Sequence, residues 1–339
     1  MGLVVKIILI LNLNTLLFAQ SLIPFTAKVP TAALVYFTKD AEISYYKKRS
    51  HTFDMVAKNK TTQLLKLDEE FHLWPHASYL EKRIVFEVDP TYYSHLNIKK
   101  DNDLYLSQIG SNEIELIGRG IQPKLHLADT WISFYSPSRK RIFFYHAPSK
   151  ELKFNIEVNN PINPYFIPQV EMINPQTIVY TDVNQKSQTA ALVFNPISES
   201  FEPLYQTTQA DSFLSLCNAQ SQLVIADFSQ KQGNLSALHI ALNLKDSPPY
   251  QTKQIYQNDS AHIGSITCKE TDNLIYFIKS FSSNPSSLLP SDLVRFNLSE
   301  MKYEKISHNS NINQVYLMGG EVFASQKSKI LILNEEGSQ

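Results

Sequence analysis

Between Ile121 and Val158 the chain alternates short apolar runs with short polar breaks. The runs are PKLHLA (Pro123 to Ala128), TWISFYS (Thr130 to Ser136), KRIFFYH (Lys140 to His146) and ELKFNI (Glu151 to Ile156). Each is rich in β-branched, aromatic and aliphatic residues and is bounded by Asp, Ser, Pro or Lys, the composition of a strand between turns. No break exceeds four residues. Parallel crossover units need a dozen residues or more, so these breaks predict an antiparallel meander. In ISFY and LKF the apolar side chains fall partly on alternate positions, as in strands with one face more buried than the other. A lone four-stranded meander has two open edges and cannot cover its own apolar faces, so it needs neighbours.

The second run recurs along the whole chain. Similar segments begin at Leu34 (LVYFT), Ile84 (IVFEVD), Ile132 (ISFYS), Ile178 (IVYTD), Leu223 (LVIAD), Ile275 (IYFIK) and Val322 (VFASQ), at successive spacings of 50, 48, 46, 45, 52 and 47. A period in the high forties is that of one four-stranded propeller blade. Other strands recur in phase. Pro75, Pro123 and Pro168 open strands ahead of the marker, DLYLSQI, AALVFN, ALHIALN, DLVRFNL and KILILNE follow it, and NEIELIG, FEPLYQ, YQTKQIYQ and KYEKIS complete the units. The first unit, between Thr31 and Leu67, offers two candidate third strands, EISYYKK and FDMVAK. The last unit runs out near Glu336, and Leu22 to Val29 is the expected donor of its missing edge. The pattern predicts an all-β protein: a β-propeller of four-stranded antiparallel blades, seven in number with six or eight as the alternatives. Its ring is closed by the N-terminal strand, and residues 21–339 form one domain.

Composition changes this picture little. Of 339 residues 43% are hydrophobic and 19% charged, and the net charge is −1. Such a balance argues against a broad basic surface for nucleic acid or anionic lipid. Glycines number only 9, so the turns must lean on Asn, Asp, Ser and Pro. Residues 1–20 read as a signal peptide, with Lys6, an apolar run from Ile7 to Phe18, and Ala19-Gln20-Ser21 around the cleavage point. The run is shorter than the roughly 20 apolar residues that span a bilayer. The expectation is a periplasmic or secreted protein with no membrane insertion after cleavage.

A Pro-opened strand, a turn, Ile-x-Phe/Tyr, a loop and Asp-Leu-Tyr together resemble the repeat of TolB-type β-propellers of the bacterial envelope, and the resemblance covers most of the chain. The Ser-Pro-Asp-Gly turn of that repeat is replaced here by Ala128-Asp129-Thr130, Asn174-Pro175-Gln176 and Glu81-Lys82-Arg83. There is also no room for the α/β domain that precedes the propeller in TolB. The resemblance implies a fold and not TolB's partners.

Candidate chemistry is sparse. In a meander the loop after the second strand and the connection between units share one rim, and the long insertions gather there. Among them are PTYYSHLNIKKDN (Pro90 to Asn102) and NNPINPYFIP (Asn159 to Pro168). Tyr92, Tyr93, His95 and Tyr165 are the contact candidates, since exposed aromatics favour recognition. Asp89, Asp182 and Asp227 recur at the end of the marker strand. A ring of carboxylates could hold calcium or another divalent ion, although Asp is also the ordinary residue for opening a loop. Cys217 and Cys268 fall in similar places in adjacent units, as a disulfide or as two buried thiols. The basic run Arg139-Lys140-Arg141 reads as a solvated turn, with an anionic partner as the lesser option. The chain has no Gly-x-Ser-x-Gly elbow, His-Glu-x-x-His, phosphate loop or Cys-x-x-Cys pair. The leading expectation is an exported monomeric propeller that binds or scaffolds another protein or an envelope component, without catalysis and without nucleic acid. The alternative is a propeller hydrolase or lyase with a metal ion in the central channel.

Overall fold

The structure is a computed structural model that describes residues 21–25, 32–38, 41–48, 52–57, 60–66, 72–73, 78–79, 83–89, 100–159, 166–184, 186, 188–207, 213–219, 222–228, 236–242, 244, 248–258, 262–269, 273–280, 291–307, 311–312, 314–318, 321–326 and 329–334. Every regular element among the described residues is a strand. Strands β2 (Ala32–Thr38), β3 (Ala41–Lys48), β4 (Thr52–Ala57) and β5 (Lys60–Lys66) make the first meander. The second holds β6 (His72–Leu73), β7 (Ser78–Tyr79), β8 (Arg83–Asp89), β9 (Asn102–Gln108) and the first half of β10 (Ile114–His126). The third holds the second half of β10, then β11 (Trp131–Ser136), β12 (Arg141–His146) and β13 (Glu151–Glu157). Next come β14 (Val170–Asn174), β15 (Thr177–Val183), β16 (Thr189–Asn195) and β17 (Ser200–Gln206). The fifth contains β18 (Phe213–Ala219), β19 (Gln222–Phe228), β20 (Ser236–Leu242) and β21 (Gln251–Asn258). The sixth contains β22 (His262–Lys269), β23 (Leu274–Ser280), β24 (Ser291–Asn297) and β25 (Lys302–Lys305). The last is β26 (Gln314–Met318), β27 (Glu321–Gln326) and β28 (Lys329–Asn334), with β1 (Ser21–Phe25) paired antiparallel to β28 as its fourth strand.

Neighbouring sheets pack face to face, and each core cluster is shared by two of them. Ile142, Phe144 and Ile156 of the third meander meet Met172, Ile178 and Tyr180 of the fourth. Val179 and Val193 of the fourth meet Leu216 and Ile225 of the fifth. Equivalent clusters join the second to the third, the fifth to the sixth and the sixth to the last. First strands lie beside one another in sequence, β10 by β14, β14 by β18, β18 by β22 and β22 by β26. In β15, Ile178 and Tyr180 point to one neighbour and Val179 to the other. Burial of both faces leaves no polar face to alternate with, which is why the second strands read as nearly continuous apolar runs. Fourth strands have the opposite character: β25 is exposed throughout and β13 along most of its length. Cys217 of β18 and Cys268 of β22 are joined by a disulfide, with their Cα atoms 5.6 Å apart.

Two sequence expectations change. The marker at Leu34 lies in β2, the first strand of its sheet, and EISYYKK and FDMVAK are the second and third strands, β3 and β4. LVYFT has the same apolar character as a second strand, and composition alone does not separate the two places. NEIELIG and PKLHLA are one continuous strand of 13 residues, β10, so Pro123 does not open a strand. It sits at a register shift between Ile121 and Lys124, where its missing N–H breaks no ladder bond.

Gly120 lets β10 pass close over β11. A Cβ at this position would lie 2.6 Å from the Tyr135 carbonyl oxygen and 2.7 Å from Cδ2 of Phe134. Gly120→Ala is therefore expected to cost about 1–3 kcal/mol through overpacking, read as a lower midpoint in urea unfolding. An unchanged midpoint would show that β10 shifts freely away from β11.

Candidate binding rim

The two ends of the strands are built differently. At one end, here called the lower rim, most turns are short, as at 127–130, 147–150, 196–199 and 298–301, and the connection from Leu242 to Gln251 is the longer exception. Asp129, Lys150, Glu199 and Met301 in these turns have φ of 65°, 55°, 51° and 52°. Asn195 and Asn297 accept backbone N–H bonds from Ile197 and Ser299, both at 2.9 Å, which fastens the turns locally. At the upper rim the chain travels farther between strands: from Asp89 to Asn102, Phe228 to Ser236, Ser280 to Ser291, and Glu157 to Val170.

Side chains from separate meanders fasten the upper rim. Asp101 accepts hydrogen bonds from the Ser136 hydroxyl at 2.9 Å, the Ser138 hydroxyl at 2.5 Å and the Ser138 amide at 3.3 Å. Nearby, Glu87 accepts from Asn102 Nδ2 at 2.5 Å and from the Gln122 amide at 3.2 Å. Asp182 accepts from Asn159 Nδ2 at 2.9 Å, from the Asn159 amide at 3.2 Å and from the Val183 amide at 2.8 Å. Ser291 donates to the Ile312 carbonyl at 2.9 Å and accepts from its amide at 2.6 Å. Lys124 of β10 pairs with Glu171 of β14 between adjacent first strands.

The carboxylates named from the sequence fall into different roles. Burial raises the pKa of Asp182 above the usual carboxylate range, and its three N–H donors oppose that rise. Asp227 is also raised by burial, and it accepts a 2.7 Å hydrogen bond from the Tyr205 hydroxyl of the preceding sheet. Burial first, then that same carboxylate, pushes Tyr205 up. Opposite Asp182 and Asp227 in the ladder stand Ala190 and Ala237, each one residue into its third strand. In the second meander the matching place, opposite Asp103, belongs to Val88, so Asp89 lies one register position further on. Among the described residues no three His, Cys, Asp or Glu side chains come together as a metal-ligand group. Tyr92, Tyr93, His95 and Tyr165 lie outside the described residues, as does the segment 1–20.

A buried Ser–His pair escaped the sequence reading. His126 Nε2 lies 2.8 Å from the Ser133 hydroxyl, across the β10–β11 ladder. With relative exposures of 4% and 1%, the two are sealed from any substrate and act as a polar tie inside the sheet. Burial, then the Lys124 charge, lowers the His126 pKa well below 6.5. The unfolded chain thus takes up a proton that the folded chain refuses. The stability is fully present above about pH 6.5 and falls as pH drops below it. His126→Gln is expected to flatten this acid limb, read from urea midpoints across pH; an unaltered slope would assign the acid limb to other groups.

No family model matches the chain, and no curated protein matches it. Solved structures do. The propeller domain of Cps50 (Swd1) from Myceliophteria thermophila is similar over 93% of this chain and 99% of its own, with a TM-score of 0.55 and 10% identity. The fold is a β-propeller. KlAtg21, solved with the coiled coil of AgAtg16, is a second similar propeller chain, over 90% of this chain and 95% of its own at a TM-score of 0.52 and 10% identity. A prolyl endopeptidase matches 75% of this chain at a TM-score of 0.53 and 10% identity, but this chain covers only 38% of that enzyme's length. At these identities the likeness carries the fold and nothing finer.

Proposed function

We propose that this protein is an exported, monomeric propeller of seven blades that binds a protein partner through its upper rim, in the periplasm or outside the cell. The observation that carries this reading is the asymmetry of the two rims. Mostly short, locally fastened turns line one end, the stretch from Leu242 to Gln251 being the exception, while most of the long connections and the side-chain ties between blades gather at the other. Variable loops on a rigid frame are the usual place for recognition. A similar propeller was solved with a bound coiled coil, which supports a protein partner in kind. The apolar segment before Ser21, the disulfide between Cys217 and Cys268 and the TolB-like repeat support export, because disulfides persist in oxidising compartments. Pairing of β1 with β28 supports a ring closed by the strand that follows the leader.

The test is photo-crosslinking in the native host, with the reactive group placed in turn at Ser138 and Lys186 on the upper rim and at Lys150 and Ser198 on the lower. A discrete adduct from upper positions alone is the expected result. Adducts from the lower positions alone, or from none, would overturn it.

A further inference from the structure

The upper turn of the third blade carries exposed charge on a frame that holds it still. Ser138, Arg139 and Lys140 are exposed, while Ser136 beneath them is fully buried. Asp101 reaches over from the second blade and takes its three hydrogen bonds from this turn; the Ser136 hydroxyl in turn accepts the Arg139 amide at 3.3 Å. The Arg139 guanidinium lies over the Phe143 ring, 5.6 Å from its centroid. Other basic groups nearby are neutralised: Arg119 by Asp103, Arg141 by Glu157 and Lys124 by Glu171. Among the described residues no carboxylate pairs with Arg139 or Lys140.

We infer that the Ser136–Lys140 turn anchors an acidic segment of a protein partner, with one carboxylate taken by the Arg139 fork and another by the Lys140 ammonium. This rests on the reading of the upper rim as the binding face. Guanidinium engages a carboxylate through two parallel N–H bonds, and a guanidinium already held against a ring loses less freedom when it does so. A protein segment fits better than a membrane surface. Lipid-binding patches need a run of several basic groups, whereas Asp101, Asp103 and Asp182 break up the charge around this single tip.

The probe is a fluorescein-labelled Glu-rich peptide, compared by anisotropy with its Gln counterpart at two salt concentrations. The wild type is expected to bind the Glu peptide in preference, more weakly in high salt, and R139E/K140E to bind it at least about tenfold more weakly. K302E, a charge reversal on an exposed fourth strand, is the control and should bind as the wild type does. Asp101→Ala separates placement from charge: it removes a negative charge from the patch yet is expected to weaken binding several-fold, because the turn loses its tie. Tighter binding by that variant would overturn the held-turn geometry. Equal binding of the Glu peptide by R139E/K140E and wild type would overturn the inference. So would a wild type that ignores the peptide but binds vesicles of equal parts phosphatidylglycerol and phosphatidylcholine. If R139E/K140E still gives the upper-rim adduct in full yield, this anchor fails while the rim reading stands. If the wild type gives no upper-rim adduct, the rim reading itself fails.

Discussion

Serine in place of both Cys217 and Cys268 is expected to lower the unfolding free energy by about 4 kcal/mol. The bridge closes a loop with a sequence separation of 51, and the chain-entropy relation gives about that value for a loop of this size. Burial adds to it. The two cysteines are 8% and 6% exposed within the cluster between the fifth and sixth sheets, and a serine hydroxyl there would lose water without gaining an assured partner. Guanidinium unfolding of C217S/C268S beside the wild type, with and without reductant, reads the effect. Both the variant and the reduced wild type should unfold at lower denaturant. If neither moves, the bridge restrains nothing that the packing of β18 against β22 does not already hold.

Removal of Ser21–Phe25 is expected to be at least as damaging. Those residues pair one for one with Asn334 back to Ile330. Without them β28 keeps a row of unpaired backbone groups along its outer edge, and such an edge recruits other chains. Each lost ladder bond contributes about 1 kcal/mol, so the loss is several kcal/mol before any apolar exposure. Leu331 and Leu333 of β28 are 7% and 1% exposed in the intact sheet and sit in the cluster that holds the last sheet to the sixth. Light scattering should show association, and melting should begin earlier. Supplying the same five residues after Asn334 through a flexible linker should reverse that association, because pairing and not chain order is what β28 requires. A truncated chain that scatters no more light than the full one and melts with it would show that β1 contributes little to the sheet.

The repeat was readable because of where its second strands sit. Strands such as β15 and β19 are buried on both faces, so their apolar runs stand out against half-exposed neighbours. The same cue misled at Leu34, where a first strand carries an equally apolar run. Fusion of two expected strands into β10 left no mark either, since GRGIQP reads as a break when written out and is a bulged, continuous strand when folded. A register step of one residue separates Asp89 from Asp182 and Asp227, and spacing counted along the chain cannot see it. The basic turn was visible as Arg139-Lys140-Arg141, but its tie to Asp101 joins residues about 35 positions apart in different blades. Contacts of that kind exist only once the sheets have met. His126 hid in the same way, as a polar residue within an apolar run whose partner, Ser133, arrives from the next strand.

The continuity of β10 also limits how this chain can be rearranged. A circular permutant opened between the third and fourth blades cuts only connecting chain, and domains tolerate cuts at such places. Between the second and third blades there is no connecting chain to open: one strand serves both sheets, edge for one and innermost for the other. These two blades travel as a pair, and any shortened or shuffled version of the protein must keep or discard them together.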